Sequence, residues 1–165
     1  MSQEGKRTLE EKIGRLLLEQ GLTLALAESC TGGLIGHRVT NVPGSSAYFM
    51  GGVVAYAYSA KERVLGVRHG TLYDYGAVSE QTVLEMARGV RRLLSVDVAL
   101  SVTGVAGPGG GTPDKPVGLV YIALSTRDFE RCEQYIWPYD RAGNKAASAE
   151  AALTLLLEYL EGRTT

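Results

Sequence analysis

Residues 22–33 read Leu-Thr-Leu-Ala-Leu-Ala-Glu-Ser-Cys-Thr-Gly-Gly, an apolar run that leads directly into a turn of small residues. The run predicts a strand over residues 22–27, and the pattern after it predicts a helix over residues 31–39. Ser29 is therefore expected at a strand end, beside backbone N–H groups that have no partner within the next helix and favour negative charge. A nucleophile or an anion-binding loop is physically reasonable at this place.

Length and composition narrow the class of protein. The 165 residues are enough for one domain with a hydrophobic core, and 45% of them are hydrophobic. A formal net charge of −1 gives no overall attraction to nucleic acid or to an anionic membrane. No apolar run reaches the roughly 18 residues of a membrane span, and the polar segment 1–12 is unlike a signal peptide. We expect a cytoplasmic protein whose partners are neither nucleic acid nor membrane.

The two cysteines and two histidines lie far apart in the sequence. Their spacing predicts neither a disulfide framework nor a metal site, and no motif calls for a cofactor. We therefore expect reduced thiols, no bound metal and no cofactor.

Helices and strands are expected to alternate along the chain, and the last two strands to form a hairpin. This order predicts a single α/β domain, an α/β/α sandwich with a mixed, mostly parallel sheet, over residues 8–160. Flexible termini are expected at 1–7 and 161–165. The predicted helices are 9–20, 31–39, 60–65 after an N-cap at Ser59, 80–94 after an N-cap at Ser79, and 145–160; the predicted strands are 22–27, 52–58, 96–103, 118–126 and 132–138.

Ser29 is the first candidate for chemistry. A serine hydroxyl becomes a nucleophile when a base takes its proton, and the N–H groups of the adjoining turn could stabilise an oxyanion. The alternative is that Ser29 or Thr31 only caps the following helix. Cys30 is a rival nucleophile, because a thiol at a helix N-terminus can have a lowered pKa, although free cysteines are often simply buried.

Lys61 is the second candidate. It is expected in the first turn of a helix that follows a strand, where the helix dipole disfavours a cation. A partly desolvated lysine has a lowered pKa and can act as a base. The alternative is a solvated lysine on the surface.

The glycine-rich segment after the strand at 96–103 is the third candidate. It brings Thr103 into a run with five glycines over residues 104–111, followed by Lys115. Such a segment could cradle a phosphate, although it matches neither a Walker loop nor a dinucleotide fingerprint, and a plain wide turn is the alternative. Arg141 could hold a phosphate or carboxylate, or it could form a surface ion pair with Asp140.

Taken together, these motifs resemble the C-terminal domain of the competence/damage-inducible CinA proteins, whose stand-alone members are nicotinamide mononucleotide deamidases. The resemblance covers about residues 8–160, and jointly the motifs are highly specific. The motifs that carry it are Ala-Glu-Ser-Cys-Thr-Gly-Gly at 27–33, Pro-Gly-Ser-Ser at 43–46, Gly-Ala-Val-Ser at 76–79, Thr-Gly-Val-Ala-Gly-Pro at 103–108 and Lys-Pro-Val-Gly at 115–118.

The resemblance implies a metal-independent serine amidohydrolase that converts nicotinamide mononucleotide to nicotinic acid mononucleotide and ammonia. Ser29 would be the nucleophile and Lys61 the base, with Tyr56 assisting proton transfer or orientation. Homo-oligomers are also typical of such proteins. The residues expected to bind the substrate are Cys30, Thr31, Gly32, Gly33, Ser45, Ser46, Thr103, Gly104, Gly107, Gly109, Gly110 and Arg141, with Arg141 and Ser45 or Ser46 as phosphate ligands.

Two departures from the family pattern keep other functions open. The family often has Tyr-Ser-Asn-Glu-Ala-Lys where residues 56–61 read Tyr-Ala-Tyr-Ser-Ala-Lys, and Lys145 stands where a second arginine is common. A non-catalytic nucleotide-binding or regulatory domain would tolerate the changes at Ala57 and Tyr58. A cysteine-dependent hydrolase that uses Cys30 is the third hypothesis.

Overall fold

The computed structural model describes residues 6–163 and contains one five-stranded sheet between helices. The predicted α/β fold class is confirmed, while the ends of the predicted flexible termini, residues 1–5 and 164–165, lie outside the described residues. The elements are α1 (Leu9–Gln20), β1 (Leu24–Glu28), α2 (Leu34–Thr40), a 3-10 turn (Ser45–Ala47), β2 (Phe49–Val54), α3 (Tyr58–Leu65), α4 (His69–Tyr75), α5 (Glu80–Leu94), β3 (Val98–Gly104), β4 (Leu119–Ser125), β5 (Glu130–Ile136) and α6 (Arg141–Leu160).

The sheet has the strand order β2-β1-β3-β4-β5 and is mixed, as predicted. β1 pairs in parallel with β2 and β3, whereas β4 is antiparallel to both β3 and β5. Four of the five strands therefore run in one direction, with β4 reversed. The predicted late hairpin is the β4–β5 pair, in which Ala123 lies opposite Cys132.

The two faces of the sheet carry side chains of different size. Leu24 and Leu26 of β1 pack into the core under α1, α2 and α6, whereas Ala25 and Ala27 face the opposite side. Alternate residues of a strand point to opposite faces, so one strand serves both cores. On the face that Ala25 and Ala27 share, helices α5 and α3 approach each other closely at Gly89. A Cβ at Gly89 of α5 would lie only 1.9 Å from the carbonyl oxygen of Leu65 in α3.

Several predicted boundaries differ from the structure. α2 begins at Leu34 rather than at residue 31, because Gly32 and Gly33 have φ values of 60° and 104°, which end the turn in a non-helical conformation. β2 spans residues 49–54 rather than 52–58, and β5 spans 130–136 rather than 132–138.

The first residues of two further helices also differ from the prediction. Ala57, not Ser59, is the N-cap of α3, and it makes no side-chain cap bond. α6 begins at Arg141 rather than at residue 145, because the Asp140 side chain accepts the Gly143 N–H at 2.7 Å and caps it. The predicted Ser79 cap of α5 is confirmed, and α4 is a helix that the sequence pattern did not predict.

The carboxyl ends of β1, β2 and β3 meet at one edge of the sheet. Residues that follow parallel strands converge there, which is where open α/β sheets bind ligands. Ser29 directly follows β1, Tyr56 follows β2, and Gly104 ends β3. Within residues 6–163, no group of three His, Cys, Asp and Glu side chains is placed to hold a metal ion. Over the same range, no helix is both long enough and apolar enough to cross a membrane.

Candidate active site

A cavity of about 380 Å³ opens at this edge of the sheet. Its walls come from the residues after β1 and β2, the turn before α5, the long loop after β3 and the start of α6. Three basic side chains line it, those of Lys61, Lys115 and Arg141, and no carboxylate does, so the cavity suits an anionic ligand. The lining residues are Ser29, Cys30, Tyr56, Tyr58, Lys61, Gly76, Ala77, Val78, Thr103, Gly104, Val105, Ala106, Gly107, Gly109, Gly110, Thr112, Lys115 and Arg141.

Residues 29–33, here called the serine turn, are held by the carboxylate that precedes them. Glu28 is only 3% exposed, and it accepts the Thr31 hydroxyl at 2.7 Å. Its two oxygens also accept the N–H groups of Ile35 and Gly36 at 2.9 and 3.0 Å. A negative charge at the N-terminus of α2 is favourable. The Glu28 carboxylate therefore links the serine turn to the first turn of α2 and holds both in place.

Part of the serine turn keeps its N–H groups unused. The Gly32 N–H donates to the Ser29 carbonyl at 3.1 Å and thereby closes the turn. The N–H groups of Cys30, Thr31 and Gly33 have no acceptor on another residue within the described range 6–163. Of these residues Cys30 lines the cavity, so its N–H is the candidate donor for an oxyanion beside Ser29, whereas the Gly32 N–H is already used.

Lys61 lies against Ser29. Its side chain is buried, and its Nζ lies 2.9 Å from Ser29 Oγ, 2.9 Å from the Ala55 carbonyl oxygen and 3.0 Å from the Tyr56 carbonyl oxygen. Burial lowers the pKa of Lys61 below its ordinary value, because removal from water penalises the charged form. No carboxylate within the described residues forms an ion pair with it.

The three contacts of Lys61 suit both of its protonation states, because an ammonium can donate one N–H to each of the three oxygens. A neutral amine has two N–H groups and one lone pair, so the two carbonyls can take both hydrogens. The lone pair then points at the Ser29 hydroxyl. The pairing of Ser29 with Lys61 that the resemblance implied is present as a direct contact.

Tyr56 and Arg141 form the outer wall. One guanidinium nitrogen of Arg141 donates to the Gly107 carbonyl at 2.7 Å, and the other donates to the Tyr56 hydroxyl at 3.1 Å. The Asp140 side chain caps α6, and Arg141 forms no ion pair in the described part of the chain. The surface ion pair considered for Arg141 is thus not formed.

Thr103 and Tyr58 position the wall opposite. The Thr103 hydroxyl donates to the Ala77 carbonyl at 2.8 Å, and the Tyr58 hydroxyl accepts the Ala77 N–H at 3.3 Å. Tyr58 is one of the departures from the family pattern, and here it holds a cavity wall. Gly104, Gly107, Gly109 and Gly110 line the cavity, as the resemblance implied.

Five of the expected binding residues do not line the cavity. Ser45 and Ser46 lie in the 3-10 turn before β2, and β2 begins beside Leu24 at the amino end of β1. They are at the opposite edge of the sheet, so the expectation that they bind phosphate in this cavity is corrected. Thr31, Gly32 and Gly33 shape the serine turn from outside the cavity, and the Thr31 hydroxyl points back to Glu28.

Cys30 lines the cavity but is a poor nucleophile. Burial raises the pKa of its thiol to about 11, which keeps it protonated near neutral pH. The structure therefore disfavours the cysteine-dependent hydrolase.

Two charged residues at the site were not among the expected site residues. Glu28 holds the serine turn, and Lys115 reaches the cavity from the long loop. The sequence showed Glu28 only as a member of the 27–33 motif. Its role as a cap could not be predicted, because α2 was expected to begin three residues earlier than it does. The sequence showed Lys115 as a lysine that follows the glycine-rich segment, but it did not predict which residues its ammonium contacts.

Comparisons with known proteins agree on one family. The family model of the CinA C-terminal domain matches residues 6–160. A protein of Halothermothrix orenii described as competence-damage inducible is 50% identical over 159 residues, and a CinA-like protein of Geobacter sulfurreducens is 51% identical over 153. The alignments cover 96% and 93% of this chain but 38% and 37% of those proteins, so the chain spans less than two fifths of their length.

Solved structures match over nearly the full chain. A CinA superfamily protein from Klebsiella pneumoniae is 34% identical with a TM-score of 0.90, covering 93% of this chain and 96% of that one. A competence/damage inducible protein from Agrobacterium tumefaciens is 40% identical with a TM-score of 0.86, covering 93% and 95%.

Proposed function

The chain belongs to the CinA C-terminal domain family, and we propose that it hydrolyses the carboxamide of nicotinamide mononucleotide to nicotinic acid mononucleotide and ammonia. The observation that carries the proposal is the contact between the buried Lys61 Nζ and Ser29 Oγ inside a cavity lined by cations. A nucleophile next to a buried lysine whose pKa is lowered suits acyl transfer, and the charges of Lys115 and Arg141 suit a phosphorylated substrate.

The first step is attack on the amide. Ser29 Oγ forms a bond to the carboxamide carbon while its proton passes to Lys61 Nζ. The carbonyl oxygen becomes an oxyanion, for which the unused N–H group of Cys30, a residue that lines the cavity, is the candidate donor. The resulting ammonium of Lys61 is held by the carbonyl oxygens of Ala55 and Tyr56.

The second step is loss of ammonia. The C–N bond breaks, and the proton on Lys61 passes to the departing nitrogen, leaving an acyl ester on Ser29. Water then attacks the ester, with Lys61 taking its proton and returning one to Ser29 Oγ as the acid leaves. Tyr56 supports this by orientation, because its hydroxyl oxygen accepts a hydrogen bond from Arg141.

The experiment is ammonia release from nicotinamide mononucleotide by the purified protein, with a chelator present. We expect release that persists in chelator and is lost in Ser29→Ala, with the circular dichroism spectrum unchanged. Unchanged turnover in Ser29→Ala would overturn the assignment of the nucleophile. Tight binding of the mononucleotide without ammonia release would replace the proposal with a non-catalytic nucleotide-binding domain.

A further inference from the structure

Lys115 reaches across the mouth of the cavity. It lies in residues 105–118, here called the glycine loop, which joins β3 to β4. A local turn fixes its backbone, because the Thr112 N–H donates to the Lys115 carbonyl at 2.8 Å and the Lys115 N–H donates to Thr112 Oγ1 at 3.1 Å. Its Nζ donates to the carbonyl oxygen of Tyr75 on the far side.

The backbone opposite is shaped to admit the lysine head. Gly76 follows Tyr75 with a φ of 79°, a conformation that favours glycine. A Cβ at this position would lie 2.7 Å from Lys115 Nζ. The absence of a side chain at residue 76 therefore makes room for the ammonium beside the cavity.

The Lys115 ammonium has hydrogen-bonding capacity left over. An ammonium has three donors, and the one acceptor that the described residues supply is the Tyr75 carbonyl. Lys61 is engaged with Ser29 and two carbonyls, whereas Arg141 uses two of its five N–H groups on Gly107 and Tyr56. Lys115 also forms no ion pair within residues 6–163.

We propose that Lys115 binds the phosphate monoester of the substrate and selects mononucleotides over the corresponding ribosides. The inference rests on the proposed function, and it assigns the phosphate to the glycine loop rather than to the residues before β2. A phosphate supplies several charged acceptors for the two unused N–H groups, and such charge-assisted bonds are stronger than neutral ones.

The test is binding measured by calorimetry in the Ser29→Ala background, where no turnover consumes the ligand. Nicotinamide mononucleotide and nicotinamide riboside are titrated into Ser29→Ala and into Ser29→Ala/Lys115→Met. We expect Lys115→Met to weaken mononucleotide binding about 30-fold and to change riboside binding less than about 2-fold. Lys115→Arg, which keeps the charge, is expected to recover part of the loss.

The matched control is Lys12→Met on α1, which removes a lysine remote from the cavity. Equal weakening of both ligands would mean that Lys115 only supports the loop, and no weakening of either would mean that it does not touch phosphate. Each result would overturn the inference. The ammonia assay on protein with Ser29 intact is a separate readout: if it is negative while the binding ratio still depends on Lys115, the proposed activity fails and the phosphate site stands.

Discussion

The serine turn and the glycine loop face the same cavity and are both rich in glycine, yet they are held in opposite ways. In the serine turn, Ser29 and Thr31 are buried, and Glu28 binds the turn from below. In the glycine loop, residues 108–114 are all exposed, and the loop is anchored mainly at its base. There the Asn144 amide donates to the Ala106 carbonyl at 3.0 Å, and Val105 and Gly118 share a backbone hydrogen bond of 2.8 Å.

The difference indicates that the hydrogen bonds of a segment, rather than its glycine content, determine how firmly its backbone is held. Chemistry needs reacting atoms held within a fraction of an ångström, and a small displacement is costly. Binding a flexible phosphorylated group tolerates a segment that adjusts. We therefore expect changes in the serine turn to lower kcat and changes in the glycine loop to weaken ligand binding. Substitutions in the two segments test this division of roles.

The largest effect is expected for Lys61→Met. Loss of the base should lower kcat about 10³-fold, within the usual range for general-base removal. The fold should persist, because methionine fills the buried space without an amine. Lys61→Arg is the matched control, since a guanidinium stays protonated and cannot take the serine proton, so it should be equally inactive. Steady-state kinetics and a thermal melt measure both, and a Lys61→Met activity within tenfold of wild type would break the division.

Glu28→Gln should come next. An amide has one acceptor oxygen where the carboxylate has two, and its NH₂ group would meet a donor N–H of Ile35 or Gly36. We expect a loss of about 1–3 kcal/mol in the free energy of unfolding, as for a buried donor left unsatisfied. We also expect kcat to fall about 30-fold with KM little changed, because the serine turn shifts relative to Lys61.

The control for Glu28→Gln is Glu11→Gln, a carboxylate in the capping box of α1, far from the cavity. Urea unfolding and kinetics on both variants separate general helix capping from positioning of the nucleophile. An equal kcat loss in Glu11→Gln would remove the special role of Glu28.

The pH dependence follows from the lowered pKa of Lys61. The neutral amine is the active form, so kcat/KM should rise about tenfold per pH unit below that pKa and level off above it. In the unfolded chain the lysine keeps its proton to about pH 10.4, so between the two pKa values the unfolded state binds more protons. The free energy of unfolding of wild type relative to Lys61→Met should therefore rise with pH across that interval. An activity that falls as pH rises there would contradict the role of Lys61.

The smallest effects are expected for a matched pair, Gly32→Ala and Gly110→Ala. The two glycines have φ values of 60° and 86°, and an added Cβ would meet no atom closer than 3.9 and 3.7 Å. Each alanine should cost about 1–2 kcal/mol in stability through backbone strain alone. Gly32→Ala should lower kcat about fivefold, whereas Gly110→Ala should raise KM about twofold. The opposite pattern would reverse the division between the two segments.

The sequence predicted the centre of this site because local patterns determined it. An apolar strand followed by a small-residue turn located Ser29, and a lysine just after a strand was marked by its unfavourable position near a helix start. The contact between Ser29 and Lys61 depends on β1 and β2 being parallel neighbours, an arrangement that the structure shows and the sequence pattern did not predict. The expected homo-oligomer stays a prediction.

The misses have physical causes. Ser45 and Ser46 precede a strand that runs parallel to β1, and residues before such a strand lie at the edge opposite the residues that follow it. Asp140 could have been recognised as an N-cap from its residue type alone. The reach of Lys115 to the Tyr75 carbonyl joins residues forty positions apart, and no local pattern encodes a contact of that range.

The absence of a carboxylate beside Lys61 within the described residues has a consequence for ionic strength. Its low basicity comes from burial, and salt at 0.1 M screens exposed charges beyond about 10 Å while affecting buried groups much less. Arg141 and Lys115, at the rim, attract an anionic ligand through water and are open to that screening. Concentrated salt would therefore slow capture of the ligand while leaving the bond-breaking step at Ser29 almost untouched.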